Sequence, residues 1–181
     1  FAAGEAKRAA ELVSEEANTG ALILGNHFQD LVEKVKALGA AAVPAKLRQL
    51  PHVRRPTWRR GTEQHVVRVS AELRTGQYGN TVRPIRSAEP LPSGYWVRFN
   101  AAGAHGIPFA DDFKVQWRVT NTDKVASRAG ALRGEFYPSD FGTTRSEGLE
   151  YRGVHFVEAF LIRKRDNRLV GQSDTFYVVV E

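Results

Sequence analysis

The sequence predicts a mainly β protein with an N-terminal helical hairpin, and the β part is expected to be an antiparallel, immunoglobulin-like sandwich. Apolar residues follow a helical period up to about residue 40 and a period of two from Gln64 onward. Short segments in which apolar and polar residues alternate then recur at intervals of roughly 10–20 residues, as is typical of an antiparallel sandwich. Trp117 lies on the apolar side of the clearest segment, where an immunoglobulin-like core places its tryptophan.

Residues 1–40 are predicted to form the helical hairpin. The stretch AGEAKRAAELVSEEAN is rich in Ala and Glu, and Gly20 separates it from a second helical stretch. Apolar residues from Leu24 to Leu38 then recur at alternating steps of three and four, which makes a narrow seam on one helix face. Gly39 is suited to the helix end, and the seam is expected to pack against another domain or partner.

Residues 41–63 are predicted to be an extended linker rich in Pro and Arg. Three prolines and Gly61 disfavour regular structure there. Trp58 is expected to anchor the linker on the neighbouring domain.

Residues 64–181 are predicted to form the β-sandwich. In HVVRVSAEL, Val67, Val69, Ala71 and Leu73 alternate with polar residues, and GYWVRFN and FKVQWRVTN repeat the pattern. The segments LRGEFY, VHFVEAFLIR and RLVGQSDTFYVVVE follow, and Asp166-Asn167 marks a hairpin turn before the last of them.

No catalytic centre, metal site or cofactor site is predicted in these residues. The chain has no Cys, which excludes disulfides, thiolate catalysis and Cys-bound zinc, and it lacks the phosphate-loop, zincin and nucleophile-elbow motifs. His155 and Glu158 are three apart on a predicted strand, so they point to opposite faces. No stretch is apolar enough to span a membrane and no secretory signal is visible, so we expect a cytoplasmic location.

The segment YRGVHFVEAF leaves two strand registers open. If Phe156 and Phe160 face the core, Glu158 does too, and it then needs a partner such as Arg133 or Arg152. If Val157 and Ala159 face the core, Glu158 is solvated.

Two Arg-Gly pairs, Arg133-Gly134 and Arg152-Gly153, lie next to strands. They either hold an anion in a concave surface or form strand-entry corners where glycine permits a bulge or a close backbone approach.

Basic residues fall in two clusters of this chain, whose formal charge is +6. Around Trp58 they are Arg54, Arg55, Arg59 and Arg60, and the segment RKRDNR holds the second cluster. Such clusters either track phosphates or are solvated, so a nucleic-acid site at the first cluster is an alternative.

Four ordered motifs resemble one known family. They are WRVTNTDKVA, LRGEFY, YRGVHFVEAF and SDTFYVVV, over roughly residues 57–181. Together they are similar to the AGS-C domain, the adenylyl/guanylyl cyclase and SMODS C-terminal sensor domain. Asp123 stands where that family usually has Gly, so the turn is expected to differ. The helical part resembles the end of the SMODS or CD-NTase nucleotidyltransferases, whose G-S and D-x-D motifs are absent from these residues.

The resemblance implies a sensor in bacterial anti-phage signalling by cyclic oligonucleotides. The domain is expected to bind an anionic ligand, nucleotide-like or phage-derived, and to gate a nucleotidyltransferase in the same or a neighbouring chain. The residues expected to contact the ligand are Asn121, Arg133, Tyr151, Arg152, His155 and Glu158. The alternative is a non-catalytic module that binds protein or nucleic acid through the helical seam and the basic linker.

Overall fold

A computed structural model describes residues 52–121 and 129–181, which contain ten β-strands. The strands are β1 Arg68–Arg74, β2 Thr81–Ile85, β3 Pro90–Leu91, β4 Trp96–Ala102, β5 Phe113–Asn121, β6 Phe136–Pro138, β7 Thr144–Gly148, β8 Gly153–Arg163, β9 Arg168–Gln172 and β10 Phe176–Val180. One short 3-10 turn, Ala104–Gly106, is the helical structure among them. The predicted mainly β character of this region is confirmed.

The strands form two sheets. The first sheet has the order β2-β1-β4-β7, and all of its pairings are antiparallel. The second has the order β3-β10-β8-β5-β6, and β9 also lies beside β8. Strand β3 runs parallel to β10, so the prediction of a purely antiparallel arrangement is wrong at this edge.

Strands β9 and β10 are two parts of one returning segment. The first half of β8 pairs with β10 and the second half pairs with β9. The connection from β8 contains the predicted Asp166-Asn167 turn, where Asn167 has a positive φ of 52°.

The inner faces of the two sheets share one apolar core. Val97 and Phe99 of the first sheet and Trp117 and Val119 of the second belong to it, so the predicted alternation holds on both sides. Trp117 is fully buried, and its indole N–H donates to Ser139 Oγ at 3.1 Å. Burying this ring with a satisfied N–H makes it a strong contributor to the core.

A second apolar cluster lies on the outer face of β8. Phe160 and Ile162 are buried there with Leu169, and Trp58 packs on them. The Trp58 ring is 4.7 Å from the Phe136 ring centroid, in an edge-to-face contact. Strand β8 is therefore buried on both sides, because residues 52–61 run across its outer face.

Several predictions lie outside the described residues. They are the helical hairpin of residues 1–40 with its seam from Leu24 to Leu38, the first part of the linker, and the turn at Asp123. Within residues 52–121 and 129–181, no helix is long and apolar enough to cross a lipid bilayer.

Candidate functional site: a cavity at one end of the two sheets

A cavity of about 400 Å³ opens between the two sheets at one end of the domain. At this end β5 and β10 finish and β8 begins. The part of the lining supplied by the core is apolar: Phe99, Val119, Leu149, Val157, Val178 and Val180. The rim is polar, and the cavity therefore has an apolar floor with a hydrogen-bonding entrance.

One wall of the cavity is a network of ion pairs centred on Glu147. The carboxylate accepts two hydrogen bonds from Arg133, at 2.5 and 3.1 Å, and a third from Arg145 at 2.7 Å. Arg145 also donates to Asp140 at 2.9 Å, and Arg133 donates to the Tyr137 hydroxyl at 3.1 Å. The two guanidinium groups lie 4.5 and 4.9 Å from the centre of the Tyr137 ring.

The network exists because β7 turns charged residues inward. In the register with β4, Arg145 is opposite Phe99 and Glu147 is opposite Val97, and both of these partners face the core. Burial lowers the pKa of Arg133, but the hydrogen bonds and charge of Glu147, helped by Tyr137, outweigh it and hold the pKa above its ordinary value. Arg133 therefore stays charged, with all three guanidinium nitrogens bonded to protein groups.

Asn121 and His155 also line the cavity and face each other across the β5–β8 pairing. The Asn121 side chain donates to the Ala131 carbonyl at 3.0 Å, and its backbone N–H donates to the Arg133 carbonyl at 3.1 Å. The buried His155 donates from Nε2 to the Tyr151 carbonyl at 2.7 Å. These bonds fix the end of β5 and the start of β8 relative to the cavity.

The structure brings together four of the six residues predicted to contact a ligand. Asn121, Arg133, Tyr151 and His155 all line the cavity. Arg152 is exposed and lies outside the lining.

Glu158 lies on the outer face of β8, away from the cavity. It is 9% exposed and accepts two hydrogen bonds from Arg118, the longer at 2.9 Å. Arg118 is directly opposite Glu158 in the β5–β8 register. The predicted partners, Arg133 and Arg152, are therefore wrong, because strand pairing places a residue 40 positions away beside the carboxylate.

The structure explains why glycine is needed at both Arg-Gly pairs. A Cβ on Gly134 would lie 2.5 Å from the His52 carbonyl oxygen, so only glycine lets residues 52–54 approach. Gly153 opens β8 with φ at 130°, a conformation that other residues rarely adopt.

Glu147, Arg145 and Asp140 were missed by the sequence reasoning. Their signal is the alternation of Arg145 and Glu147 around Ser146, which gives both charges the same face of a strand. Because the segment has no apolar residues, this alternation does not indicate which face of the strand is buried.

The basic linker residues have mixed environments. Arg54 pairs with Glu135 at 2.8 Å on the surface, and Arg55, Arg59 and Arg60 are exposed. Trp58 is half-buried against Phe136 and Phe160. Across the part of the chain that the structure describes, no three His, Asp or Glu side chains come together as metal ligands do.

Comparison with known proteins identifies the family. No curated protein matches the chain. Residues 48–181 match the family described as the adenylyl/guanylyl and SMODS C-terminal sensor domain, and this match covers well over half of the chain. The predicted resemblance is confirmed. The chain belongs to the adenylyl/guanylyl and SMODS C-terminal sensor domain family.

Proposed function

We propose that this domain senses a small, polar molecule of low net charge that binds in the cavity between the two sheets. The observation that carries this proposal is the cavity itself, which gathers Asn121, Arg133, Tyr151 and His155 around an apolar floor. Its volume of about 400 Å³ falls in the range typical of small-molecule sites, which combine apolar walls with a few placed polar groups. A nucleoside has the matching chemistry, with a flat ring for the floor and hydroxyl groups for the rim.

The charge of the lining argues for low net charge in the ligand. The lining contains two arginines and the three carboxylates of Asp140, Glu147 and Glu150. A phosphate that approached Arg133 would have to displace Glu147 from a two-bond contact and leave that carboxylate partly buried, which is costly. The sequence predicts an anionic ligand instead, so the experiment described below compares uncharged and anionic ligands.

The contacts around Arg133 suggest how binding would be transmitted. The Arg133 carbonyl is bonded to Asn121, whose own carbonyl accepts a hydrogen bond from His52 at 3.0 Å. The next residue, Gly134, accepts a bond from the Arg54 N–H at 2.9 Å. A shift of the cavity wall would thus be transmitted directly through these hydrogen bonds to residues 52–54, and through them to the preceding chain.

The family description as a sensor domain supports this reading. We infer that the ligand-bound state gates a nucleotidyltransferase in the same or a neighbouring chain, within cytoplasmic anti-phage signalling by cyclic oligonucleotides. Trp117 at the centre of the core supports the immunoglobulin-like architecture predicted for this module.

The test is the thermal stability of the full chain with each common nucleoside and with the matching 5′-monophosphate. A ligand at a hundred times its dissociation constant adds about 2.7 kcal/mol, which corresponds to a rise in Tm of about 5 to 10 °C for a chain of this size. We expect at least one nucleoside to raise the Tm more than its monophosphate does. Hydrogen exchange at the Arg54 amide is expected to slow in the same complex.

Two phenylalanine substitutions at adjacent positions provide the control. Ala131 lines the cavity, whereas Leu132 is 42% exposed and does not. Ala131→Phe fills the site and should abolish the ligand-induced rise, and Leu132→Phe should preserve it. A response to monophosphates alone would overturn the low-charge ligand, and an undiminished response in Ala131→Phe would overturn the site.

A further inference from the structure

The two basic clusters of the sequence lie side by side in the fold. Residues 59–61 run parallel to β9 at the edge of the second sheet: Arg60 pairs with Leu169. The Leu169 N–H donates to the Arg59 carbonyl at 3.0 Å, and the Gly61 N–H donates to the Leu169 carbonyl at 2.8 Å. In this register Arg59 falls beside Arg168, one strand spacing away.

The net charge of the chain is concentrated in these two segments. Residues 54–63 hold four arginines and Glu63, for a net charge of +3. Residues 163–168 hold three arginines, Lys164 and Asp166, also for +3. Together they equal the +6 of the whole chain, so the remaining residues sum to zero.

Five cations of these segments form what we call the basic surface: Arg59, Arg60, Lys164, Arg165 and Arg168. Arg59, Arg60 and Arg165 are exposed and make no ion pair with the residues that the structure describes. Arg168 has a long contact of 3.5 Å to Asp166, and Lys164 donates to the Asp111 carbonyl. Like charges on neighbouring strands repel each other, so the free domain gains nothing from this arrangement.

We propose that the basic surface binds the phosphate backbone of a nucleic acid. Exposed arginines without acidic partners suit phosphates, because the guanidinium group offers several donors and stays charged. The large exposed apolar side chains among the described residues, Val66, Tyr78, Val82, Tyr95, Ile107, Leu132 and Phe141, all lie outside the two basic segments. The two segments themselves therefore supply no large exposed apolar side chain of the kind that anchors a protein in a membrane.

At this surface the protein contacts the phosphate backbone of the nucleic acid and not its bases. The one aromatic ring in the two segments, Trp58, is packed edge-to-face on Phe136, so it is not free to stack on a base. Contacts to phosphate fix position but carry little sequence information. The cavity lies where β8 begins and residues 163–168 follow the end of β8, so nucleic-acid binding is a second function beyond ligand sensing.

The experiment measures the affinity of the full chain for fluorescent DNA and RNA duplexes of mixed sequence and their single strands. Measurements run from about 50 to 200 mM salt, a range in which phosphate-driven binding weakens steeply. The variant Arg59→Ser/Arg60→Ser/Arg165→Ser removes three charges of the basic surface. The matched control, Arg68→Ser/Arg86→Ser/Arg152→Ser, removes three exposed arginines elsewhere.

We expect salt-dependent binding that varies little with sequence. The surface variant should make the slope of log affinity against log salt less steep by about 2 to 3, and the control should leave it unchanged. Equal weakening in both variants would overturn the assignment to this surface. Absence of nucleic-acid binding at the lowest salt, with or without binding to anionic vesicles, would overturn the proposal.

Discussion

Two of the Arg–Glu pairs in the domain have nearly the same chemistry and different surroundings. Arg118 and Glu158 pair on the outer face of the second sheet, where the Arg118 guanidinium lies against the rings of Phe136 and Phe160 and Trp58 packs on those rings. Arg133 and Glu147 pair at the opposite side of that sheet, in the wall of a cavity of about 400 Å³. The first pair is sealed by aromatic rings, and the second borders open space.

This difference separates a structural pair from a candidate binding site. The Arg118–Glu158 pair has side chains that are 14% and 12% exposed, and its remaining carboxylate oxygen lies 3.4 Å from Gln172 and Thr175. Both Phe136 and Phe160, whose rings lie against the Arg118 guanidinium, are in turn packed against Trp58. The Arg133–Glu147 pair sits where a ligand can replace solvent and alter the same hydrogen bonds.

The largest effect is expected from Glu158→Ala. This change leaves the Arg118 guanidinium buried among aromatic rings without its counter-charge, which costs about 3 kcal/mol of unfolding free energy. Urea unfolding monitored by tryptophan fluorescence measures it. The double variant Arg118→Met/Glu158→Leu removes both charges and should recover most of the loss. A loss below about 1 kcal/mol in Glu158→Ala, typical of an exposed pair, would contradict the sealed environment.

A smaller loss of unfolding free energy is expected when the aromatic ring of Trp58 is removed. Trp58→Ala deletes a half-buried ring that packs on Phe136 and Phe160, which should lower the unfolding free energy by about 2 kcal/mol. Trp58→Phe keeps part of the contact and should lose about half as much. Hydrogen exchange across β8 should rise in the alanine variant. Unchanged exchange there would mean that residues 52–61 do not cover the sheet in solution.

Glu147→Gln should lower the unfolding free energy by less than Glu158→Ala or Trp58→Ala, about 1 kcal/mol, because Arg145 keeps its bond to Asp140 and Arg133 is partly exposed. Urea unfolding measures this loss on the same scale as that of Glu158→Ala. A loss equal to or larger than that of Glu158→Ala would reverse the distinction between the two pairs.

The smallest effect concerns acid stability at the β8–β9 turn. Hydrogen bonds from Arg163, together with its charge, hold the pKa of Asp166 below its ordinary value of 3.8. The stabilisation is therefore present above the ordinary pKa and is lost as the pH falls through the lowered folded-state pKa. The stability difference between the wild type and Asp166→Asn should be constant near neutral pH and shrink below about pH 4. A difference that grows on acidification would contradict this pairing.

Much of the fold was predictable because its strands carry a strong periodic signal. The alternation around Val97, Phe99 and Trp117 correctly predicted which side faces the core. Strand β7 was missed because its inward face holds Arg145 and Glu147, so no apolar period marks it. The parallel edge at β3 was missed because two residues carry no pattern at all.

The sequence predicted most of the residues that line the candidate site, but it did not predict which charged residues pair with each other. Asn121, Arg133, Tyr151 and His155 come from three separate motifs, and the family resemblance grouped them. Glu158 was grouped with them by closeness in sequence, yet strand alternation puts it on the other face of β8 from His155. Its partner Arg118 depends on the register between β5 and β8, which local sequence does not specify.

The most direct test of the central claim is a calorimetric comparison of ligand affinity in Glu147→Gln and Glu158→Gln. The titrant is the nucleoside that most raises the Tm of the wild type, at a temperature where all three proteins are folded. We expect Glu147→Gln to weaken binding by about tenfold or more, equivalent to about 1.4 kcal/mol, and Glu158→Gln to leave the affinity within about twofold of the wild type. Equal weakening by both variants, or an affinity unchanged by Glu147→Gln, would contradict the assignment of sensing to the cavity.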